Sequence, residues 1–232
     1  MDPHQTDIVA LAWSRELGLP DSALAVPGAR VVRVEEAAGQ VRFLRLGEAS
    51  ALVGPAWALD RAAGLDDDSL GRPAALLDLT KDRGGSCSGP RILSYAGEIG
   101  TDIGAEEPVI SHDLEHVLAL QSLCPPDDVA EADLTGRRHW FTLVDDTAAA
   151  RAGAAYDEWQ GIVARMGVLT APGQRRQGHG AVVGRLATND AIDEGLIPQW
   201  LSYSQNIASR RLAARLGYEE FGSITVATVR AT

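Results

Sequence analysis

The feature that most constrains the fold of this chain is the stretch 167–180, which reads GVLTAPGQRRQGHG. The apolar residues up to Thr170 predict a strand, and the pair Pro172-Gly173 predicts the turn that ends it. The glycine-rich segment that follows runs through Gly180 into a helical pattern, so its backbone N–H groups are not shielded by side chains. Because these N–H groups and the positive end of a helix dipole converge there, the stretch predicts a phosphate-binding loop between a strand and a helix.

Two common types of phosphate loop do not match this stretch. Gly173 and Gly178 have the spacing of the outer glycines of a P-loop, but the Lys and Ser/Thr that would hold the terminal phosphates and magnesium are missing. A dinucleotide fingerprint would need a third glycine where Val183 stands. The sequence therefore argues against an ATPase, a kinase and a dinucleotide-binding enzyme.

The remaining pattern, Arg175-x-x-Gly178-x-Gly180, resembles the pyrophosphate loop of the GNAT superfamily of acyl-CoA-dependent N-acyltransferases. The segments downstream follow the order of that family: a helix, a strand at 197–204, the segment Asn206-Ile207-Ala208-Ser209 that opens a second helix, and Leu216-Gly217-Tyr218 that ends it. The resemblance is strong over residues 152–229 and extends more weakly back to about residue 110.

The resemblance implies an α+β fold with a GNAT-type mixed, mostly antiparallel sheet flanked by helices, together with an additional N-terminal α+β part. Residues 109–232 are expected to form the acetyltransferase domain and residues 1–108 the N-terminal part, which is either a degenerate GNAT-like half or an extension on the substrate side. The acidic, glycine-containing segment 97–108 marks the boundary.

The resemblance also implies acetyl-CoA as co-substrate and no metal. In that family the strand before the loop carries a bulge and separates from the next strand, here 197–204, and the pantetheine arm fills the gap. The residues implied to contact acetyl-CoA are Val168, Leu169 and Thr170 through their backbones, the loop residues Arg175, Arg176, Gln177, Gly178, His179 and Gly180, and Asn206 and Ser209.

A general acid for the departing thiolate is not evident. Many family members carry a Tyr seven residues after the Asn, and this chain has Ala213 there. Ser209 and Tyr203 are the candidates that remain, and water is a third.

A general base is equally open. The strand position that histone-modifying members use falls on Ala164. Asp157 and Glu158 on the neighbouring strand are the candidates, and a chain of water molecules is the alternative.

These features predict an acetyl-CoA-dependent N-acetyltransferase that acts on a primary amine of a small molecule or peptide by direct nucleophilic attack. A non-catalytic acyl-CoA-binding or sensor module is the alternative, and Ala213 supports it. A third hypothesis is a zinc hydrolase, because residues 112–116 match the pattern H-x-x-E-H with His112 and His116 expected one helical turn apart. That site would still need a third ligand.

The composition bounds the partners and the compartment. The formal net charge is −11, which disfavours nucleic acid and favours a cationic small-molecule amine. Two cysteines, Cys87 and Cys124, make no disulfide framework and favour a reducing cytoplasm. The start of the chain has no sustained apolar run, so neither a signal peptide nor a membrane span is expected. A homodimer is left open.

The periodicity of apolar residues predicts the other elements. In the N-terminal part these are a helix at 6–19, a three-stranded meander at 30–36, 41–46 and 50–53, a helix at 54–63, a loop around 66–68, and strands at 74–79 and 91–95. In the C-terminal part they are a helix capped by Ser111, a helix at 127–134, and strands at 139–144, 152–159 and 162–170.

Overall fold

A computed structural model describes residues 1–28, 30–98 and 108–229. The helices in this part of the chain are α1 Pro3–Glu16, α2 Ala56–Ala62, α3 Asp67–Leu70, α4 Pro73–Thr80, α5 Leu114–Ser122, α6 Pro126–Ala132, α7 His179–Asp193 and α8 Ile207–Arg215, with 3-10 turns at Lys81–Arg83 and Pro172–Gln174. The strands are β1 Val31–Val34, β2 Gln40–Leu46, β3 Ala49–Gly54, β4 Ser86–Cys87, β5 Arg91–Tyr95, β6 Ile110–Ser111, β7 His139–Val144, β8 Ala150–Trp159, β9 Val163–Thr170, β10 Ile197–Tyr203 and β11 Glu219–Thr228.

The chain divides into two units. The loop unit comprises the described residues of Ser94–Leu201 and Ile207–Glu219 together with Met1, and it contains the glycine-rich loop. The N-terminal unit comprises the described residues of Asp2–Leu93, Ser202–Asn206 and Glu220–Thr232. The division into domains 1–108 and 109–232 stays a prediction.

The loop unit is built on a mixed sheet with strand order β10-β9-β8-β7-β6. β9 and β10 are parallel, and the other neighbouring pairs are antiparallel. Buried residues on one face pack with α7 and α8, and those on the other face pack with α5 and α6. The predicted α+β fold, with a mostly antiparallel sheet between helices, is confirmed.

Small residues let the helices of the loop unit approach the sheet closely. A Cβ at Gly153 would lie 2.8 Å from Leu120 Cδ2, so a larger side chain in β8 would push α5 away. On the other face, α7 turns Val183, Ala187 and Ala191 toward the sheet, all fully buried, at the four-residue spacing of one helical face. The sequence pattern of α7 therefore fixes which side of that helix meets β9.

The N-terminal unit corrects the predicted meander. β3 lies between β2 and β1, and β1 pairs with it in parallel, from Val31↔Ala51 to Val34↔Gly54. Every residue of β3 is buried, as suits an inner strand, whereas Val32 and Val34 of β1 are more than half exposed. Because all residues of β3 are buried, β3 lies inside the sheet, and the more exposed β1 lies at its edge.

Two other predictions for this unit are wrong. Residues 74–79 form α4 and not a strand: Pro73 occupies the first turn, and Leu76, Leu79 and Thr80 are buried at helical spacing. Residues 67–70 form the short α3, in which the Ser69 N–H donates to the Asp66 carboxylate at 2.7 Å.

Strands 91–95 and 139–144 are confirmed. The segment 97–108 is the predicted domain boundary, and its residues 99–107 lie outside the described residues. No described helix combines the length and the apolar content needed to cross a bilayer.

Candidate functional site

The parallel pairing of β9 with β10 stops before β9 ends. The register runs from Ile197↔Val163 to Trp200↔Met166, yet β9 continues to Thr170. On its other side β9 stays paired with β8 over its whole length, from Trp159↔Val163 to Ala152↔Thr170. The last residues of β9 before the loop therefore have a partner strand on one side only, which is the separation that the resemblance implies.

The structure does not show the bulge that the resemblance implies in β9. The β8/β9 register is continuous, and no shift interrupts it. The register shift in this sheet lies instead between Leu143 and Val144 of β7. The separation from β10 thus arises because β9 and β10 diverge, without an inserted residue.

Backbone alternation decides which groups of β9 face the β10 side. The Ile197 N–H donates to the Ile162 carbonyl at 3.1 Å, and the Ala171 N–H donates to the Arg151 carbonyl beside β8 at 3.0 Å. Even-numbered residues of β9 therefore direct N–H and C=O toward β10, and odd-numbered ones toward β8. Val168 and Thr170 have their backbone groups on the separated edge.

Of the three predicted contacts in β9, Leu169 has its backbone groups on the β8 side. It faces Gly153 in the β8/β9 ladder, and its side chain is buried against the α5 and α6 side of the sheet. Its backbone groups belong to the ladder and are not open to a ligand.

The loop itself has the backbone shape of an anion cradle. Arg176 has φ 63° and Gly178 has φ 88°, so two residues in the left-handed region reverse the chain just before α7. Gly178 is the N-cap of α7 and has no side-chain cap hydrogen bond. The Ala181 N–H donates to the Gly178 carbonyl at 2.8 Å, and the N–H groups that precede it have no partner within the helix, so they point into the loop.

Gly180 lets α7 approach β9 at this point. A Cβ at Gly180 would lie 2.9 Å from Thr170 Oγ1 and 3.5 Å from Leu212 Cδ2. At Gly178, by contrast, an added Cβ would have no atom within 4 Å. Gly180 is needed for packing and Gly178 for the turn, and the space next to Gly178 is open to a ligand.

The Arg175 side chain is held beside the loop by two contacts. Its Nε donates to the Thr170 carbonyl at 3.3 Å, and its Nη2 lies 2.6 Å from Asp128 Oδ2 of α6. The Cys124 thiol also points at the Thr170 carbonyl, at 3.8 Å, and burial raises the pKa of that thiol. Gln177 closes the loop from within, since its Nε2 donates to the Gly173 carbonyl at 3.2 Å.

His179 begins α7 as a neutral ring. Burial, and after it the neighbouring Arg151, lowers the pKa of His179 below its ordinary value. At neutral pH the imidazole carries little charge, so it adds little positive charge to the loop. Anion recognition at this position depends on the backbone.

Ser209 of α8 receives a hydrogen bond from a buried tryptophan. The Trp200 Nε1–H donates to Ser209 Oγ at 2.9 Å, and the Trp200 ring stands edge-on to Tyr218 at 5.3 Å. Because the Ser209 oxygen accepts from the indole, its own O–H proton is turned to another acceptor. Ala213, one turn further on, is buried and carries no polar group.

Tyr203 and Asn206 lie in the segment Ser202–Asn206 of the N-terminal unit. The Arg91 guanidinium lies over the Tyr203 ring at 4.8 Å, and its Nη2 donates to the Tyr203 hydroxyl at 3.0 Å. Asn206 directly precedes α8, and its N–H donates to the Tyr203 carbonyl at 2.9 Å.

The two predicted base candidates do not reach the open edge of β9. Glu158 is exposed and pairs with Ala164, four residues before Val168, which is about 13 Å along a strand. Asp157 is bound to Arg137 at 2.8 Å on the opposite face of the sheet. Neither carboxylate lies at the separated edge beside Val168.

The zinc hypothesis is corrected by the start of α5. That helix begins at Leu114, so His112 precedes it and shares no helical face with His116. The His112 Nδ1 lies 2.6 Å from the Trp140 carbonyl, and the His116 Nδ1 lies 2.8 Å from Ser111 Oγ. Within the described residues, no group of three His, Cys, Asp or Glu side chains is arranged around a common metal position.

Sequence reasoning missed two side chains at this site. The sequence pattern places Asp128 only in a short helix, whereas its contact with Arg175 spans 47 positions of sequence. It places Trp200 only in a strand. The signals available in the sequence are an acidic residue in the first turn of α6 and a tryptophan in the strand before α8, the helix that carries Ser209. Neither signal indicates which residue the side chain contacts.

Comparison with known proteins gives a limited result. No protein-family profile matches the sequence, and a search of curated proteins finds no match. Solved structures similar to this chain include a GNAT-family acetyltransferase from Colwellia psychrerythraea, 18% identical over 68% of this chain and 60% of that one, with a TM-score of 0.48. A GCN5-related N-acetyltransferase from Kribbella flavida is 16% identical over 79% and 69%, with a TM-score of 0.47.

A GCN5-related N-acetyltransferase-like protein from Streptococcus suis is 18% identical over 67% of this chain and 68% of that one, with a TM-score of 0.46. Similarity at this level says nothing about substrate or catalytic residues. A functional proposal therefore depends on the residues of the loop unit.

Proposed function

We propose that this chain belongs to the GNAT superfamily and is an acetyl-CoA-dependent N-acetyltransferase. Acetyl-CoA is its co-substrate, and a primary amine of a small molecule or peptide attacks the thioester directly. The observation that supports this most is the continuity of three features: β9 separates from β10 after Met166, leads into the loop, and ends at the uncapped start of α7. A pantetheine arm and a pyrophosphate need these two sites in this order.

The residues present fit a pyrophosphate. The N-cap position of α7 has no side-chain acceptor that would compete with an anion, and the space beside Gly178 is open. Gly180 keeps the start of α7 against Thr170, so the loop N–H groups and the β9 edge stay in one place. The proposed contacts are the backbone groups from Arg175 to Gly180, and the main contribution is electrostatic.

Acetyl-CoA supplies the activated acyl group, and the chain has to hold the thioester, polarise its carbonyl and handle protons. The Val168 N–H lies on the separated edge of β9, where it can donate to a carbonyl oxygen on which negative charge develops. The Thr170 carbonyl is already engaged by Arg175, which leaves the Thr170 N–H for a second contact on that edge. We assign carbonyl polarisation to Val168.

For the proton that the departing thiolate needs, Ser209 is our first candidate. Its oxygen accepts from Trp200, so its O–H points elsewhere, and hydrogen bonds in a chain strengthen one another. Tyr203 is the second candidate because of its contact with Arg91, and Asn206 is kept as the proposed contact to pantetheine. Glu158 is not retained as the base, for the distance given above.

The acceptor is proposed to be a small cationic amine, since the formal net charge of the chain is −11. Such an amine must lose a proton before it attacks, and with Ala164 at the family's base position this loss is proposed to go to water. Nucleic acid and membranes are not proposed as partners. A cytoplasmic setting is proposed from the sequence alone.

The test is an incubation with acetyl-CoA and a broad panel of primary amines, in which free CoA thiol is measured. Acetylated amine should form in a one-to-one ratio with thiol, and the panel should favour cationic amines. Absence of turnover with every amine would remove the enzyme proposal.

A non-catalytic acyl-CoA-binding module is the second candidate function. It is favoured by Ala213 and Ala164, which are both buried and apolar where familiar acid and base residues stand in relatives. Tight binding of acetyl-CoA by calorimetry without acetyl transfer to any amine would support this function over the enzyme.

A further inference from the structure

We propose that Asp128 of α6 lowers the affinity of the loop for the pyrophosphate of CoA by holding the charge of Arg175. This inference rests on the proposed function, since it needs CoA as the ligand of the loop. It adds a residue that sets cofactor affinity from outside the loop.

The geometry places a carboxylate next to the anion cradle. Arg175 is the first residue of the proposed pyrophosphate contacts, and its Nη2 lies 2.6 Å from Asp128 Oδ2. The guanidinium is anchored at the same time by its Nε, which donates to the Thr170 carbonyl at 3.3 Å. The arginine side chain is thus held at the junction of β9 and the loop, and one side of its guanidinium contacts the Asp128 carboxylate.

Both partners of this ion pair are accessible to a ligand and to salt. The Arg175 side chain is 45% exposed and the Asp128 side chain 39% exposed. An exposed pair of this kind contributes little to stability. Its effect on a nearby dianion is larger, because the carboxylate cancels a positive charge that would otherwise face the pyrophosphate.

The surroundings of the pair provide a matched control. Asp127 precedes Asp128 in the first turn of α6 and is exposed, and the structure gives it no ion pair with Arg175. Asp127→Asn removes the same charge as Asp128→Asn, within one residue, and leaves the Arg175 contact in place. Comparison of the two variants separates release of Arg175 from a general change of net charge.

The experiment is isothermal titration calorimetry of CoA and of dephospho-CoA with the wild-type chain and the variants in about 0.1 M salt. Asp128→Asn should bind both ligands roughly three- to tenfold more tightly, as expected for a unit charge about 6–12 Å from a doubly charged group in a water-like dielectric. The gain should fall toward none near 1 M salt, where charges are screened within about 3 Å.

Two further variants test whether Asp128 lowers or raises the affinity for CoA. Arg175→Gln alone should weaken binding, because it leaves Asp128 unpaired beside the anion. The double variant Arg175→Gln/Asp128→Asn should return close to wild type, since the two charges cancel in the wild-type pair. A structural role for the pair predicts the opposite, namely weaker binding by Asp128→Asn at every salt concentration.

The outcomes distinguish the inference from the proposed function. If the wild-type chain does not bind CoA, the proposed function fails. If it binds CoA and Asp128→Asn binds equally or more weakly, or if Asp127→Asn gives the same gain as Asp128→Asn, the inference fails and the proposed function stands.

Discussion

Replacing Gly178 by glutamate tests the loop most directly, because α7 offers a matched control at its other end. Gly178 has φ 88° at the start of α7, and Gly195 has φ 78° just after its end. Around each of them no atom lies within 4 Å of an added Cβ. Gly178→Glu and Gly195→Glu therefore introduce the same charge and the same kind of backbone strain.

The expected magnitudes follow from these environments. A non-glycine residue in the left-handed region costs about 1–2 kcal/mol in both variants. The helix dipole offsets part of this loss at Gly178 and adds to it at Gly195, so Gly195→Glu should lose somewhat more unfolding free energy. At the loop, a carboxylate about 5 Å from a pyrophosphate with roughly two charges adds about 1.6 kcal/mol of repulsion in a water-like dielectric, or about fifteenfold in Kd. The side chain also fills the open space beside Gly178, so the measured loss should be at least this large.

The assay is CoA binding by calorimetry, supported by the rise in Tm that saturating CoA produces. Gly195→Glu should bind CoA as the wild type does and should keep the CoA-dependent rise in Tm, whereas Gly178→Glu should bind CoA at least about fifteenfold more weakly and show a smaller rise in Tm at the same CoA concentration. Equal affinities of the two variants would show that the pyrophosphate does not bind at this loop.

Three further predictions concern stability. Gly167→Ala should destabilise the chain by about 3 kcal/mol or more in urea unfolding, because its Cβ would collide with the Ala132 carbonyl oxygen; an unchanged midpoint would mean that α6 does not pack on β9 in this way. Ala148→Gly should stabilise by about 0.5–1 kcal/mol in the same assay, since Ala148 has φ 63°, and a loss of stability would contradict that turn. The Thr147 hydroxyl and backbone N–H groups hold the pKa of Asp145 at about 2, so its contribution is complete above about pH 4 and is lost as the pH falls toward 2. The difference in Tm between wild type and Asp145→Asn should therefore shrink between about pH 4.5 and about pH 2.5, and a constant difference would argue against these hydrogen bonds.

Local patterns were sufficient for much of the loop unit. Strand 139–144 and the succession of β9, loop and α7 follow from apolar runs bounded by turn residues, which act within a few positions of sequence. Residues 74–79 show where this fails: AALLDL suits a strand or a helix, and the helix forms because Pro73 starts it and its buried leucines pack into one core. The prediction of a meander was wrong for a similar reason. The order in which the strands pair depends on which strand must be buried on both faces, and that strand is β3.

The features of the candidate site likewise divide into those that local sequence predicts and those that only the tertiary structure positions. The sequence by itself determined the glycine-rich loop and the helix start behind it, because positive φ angles and unpaired helix N–H groups are properties of a few consecutive residues. Only the tertiary structure decided where β9 leaves β10, why Val168 and not Leu169 faces that edge, and why Glu158 is remote from it. These depend on register and on contacts such as that of Arg175 with Asp128, which join residues far apart in sequence and which no local pattern encodes.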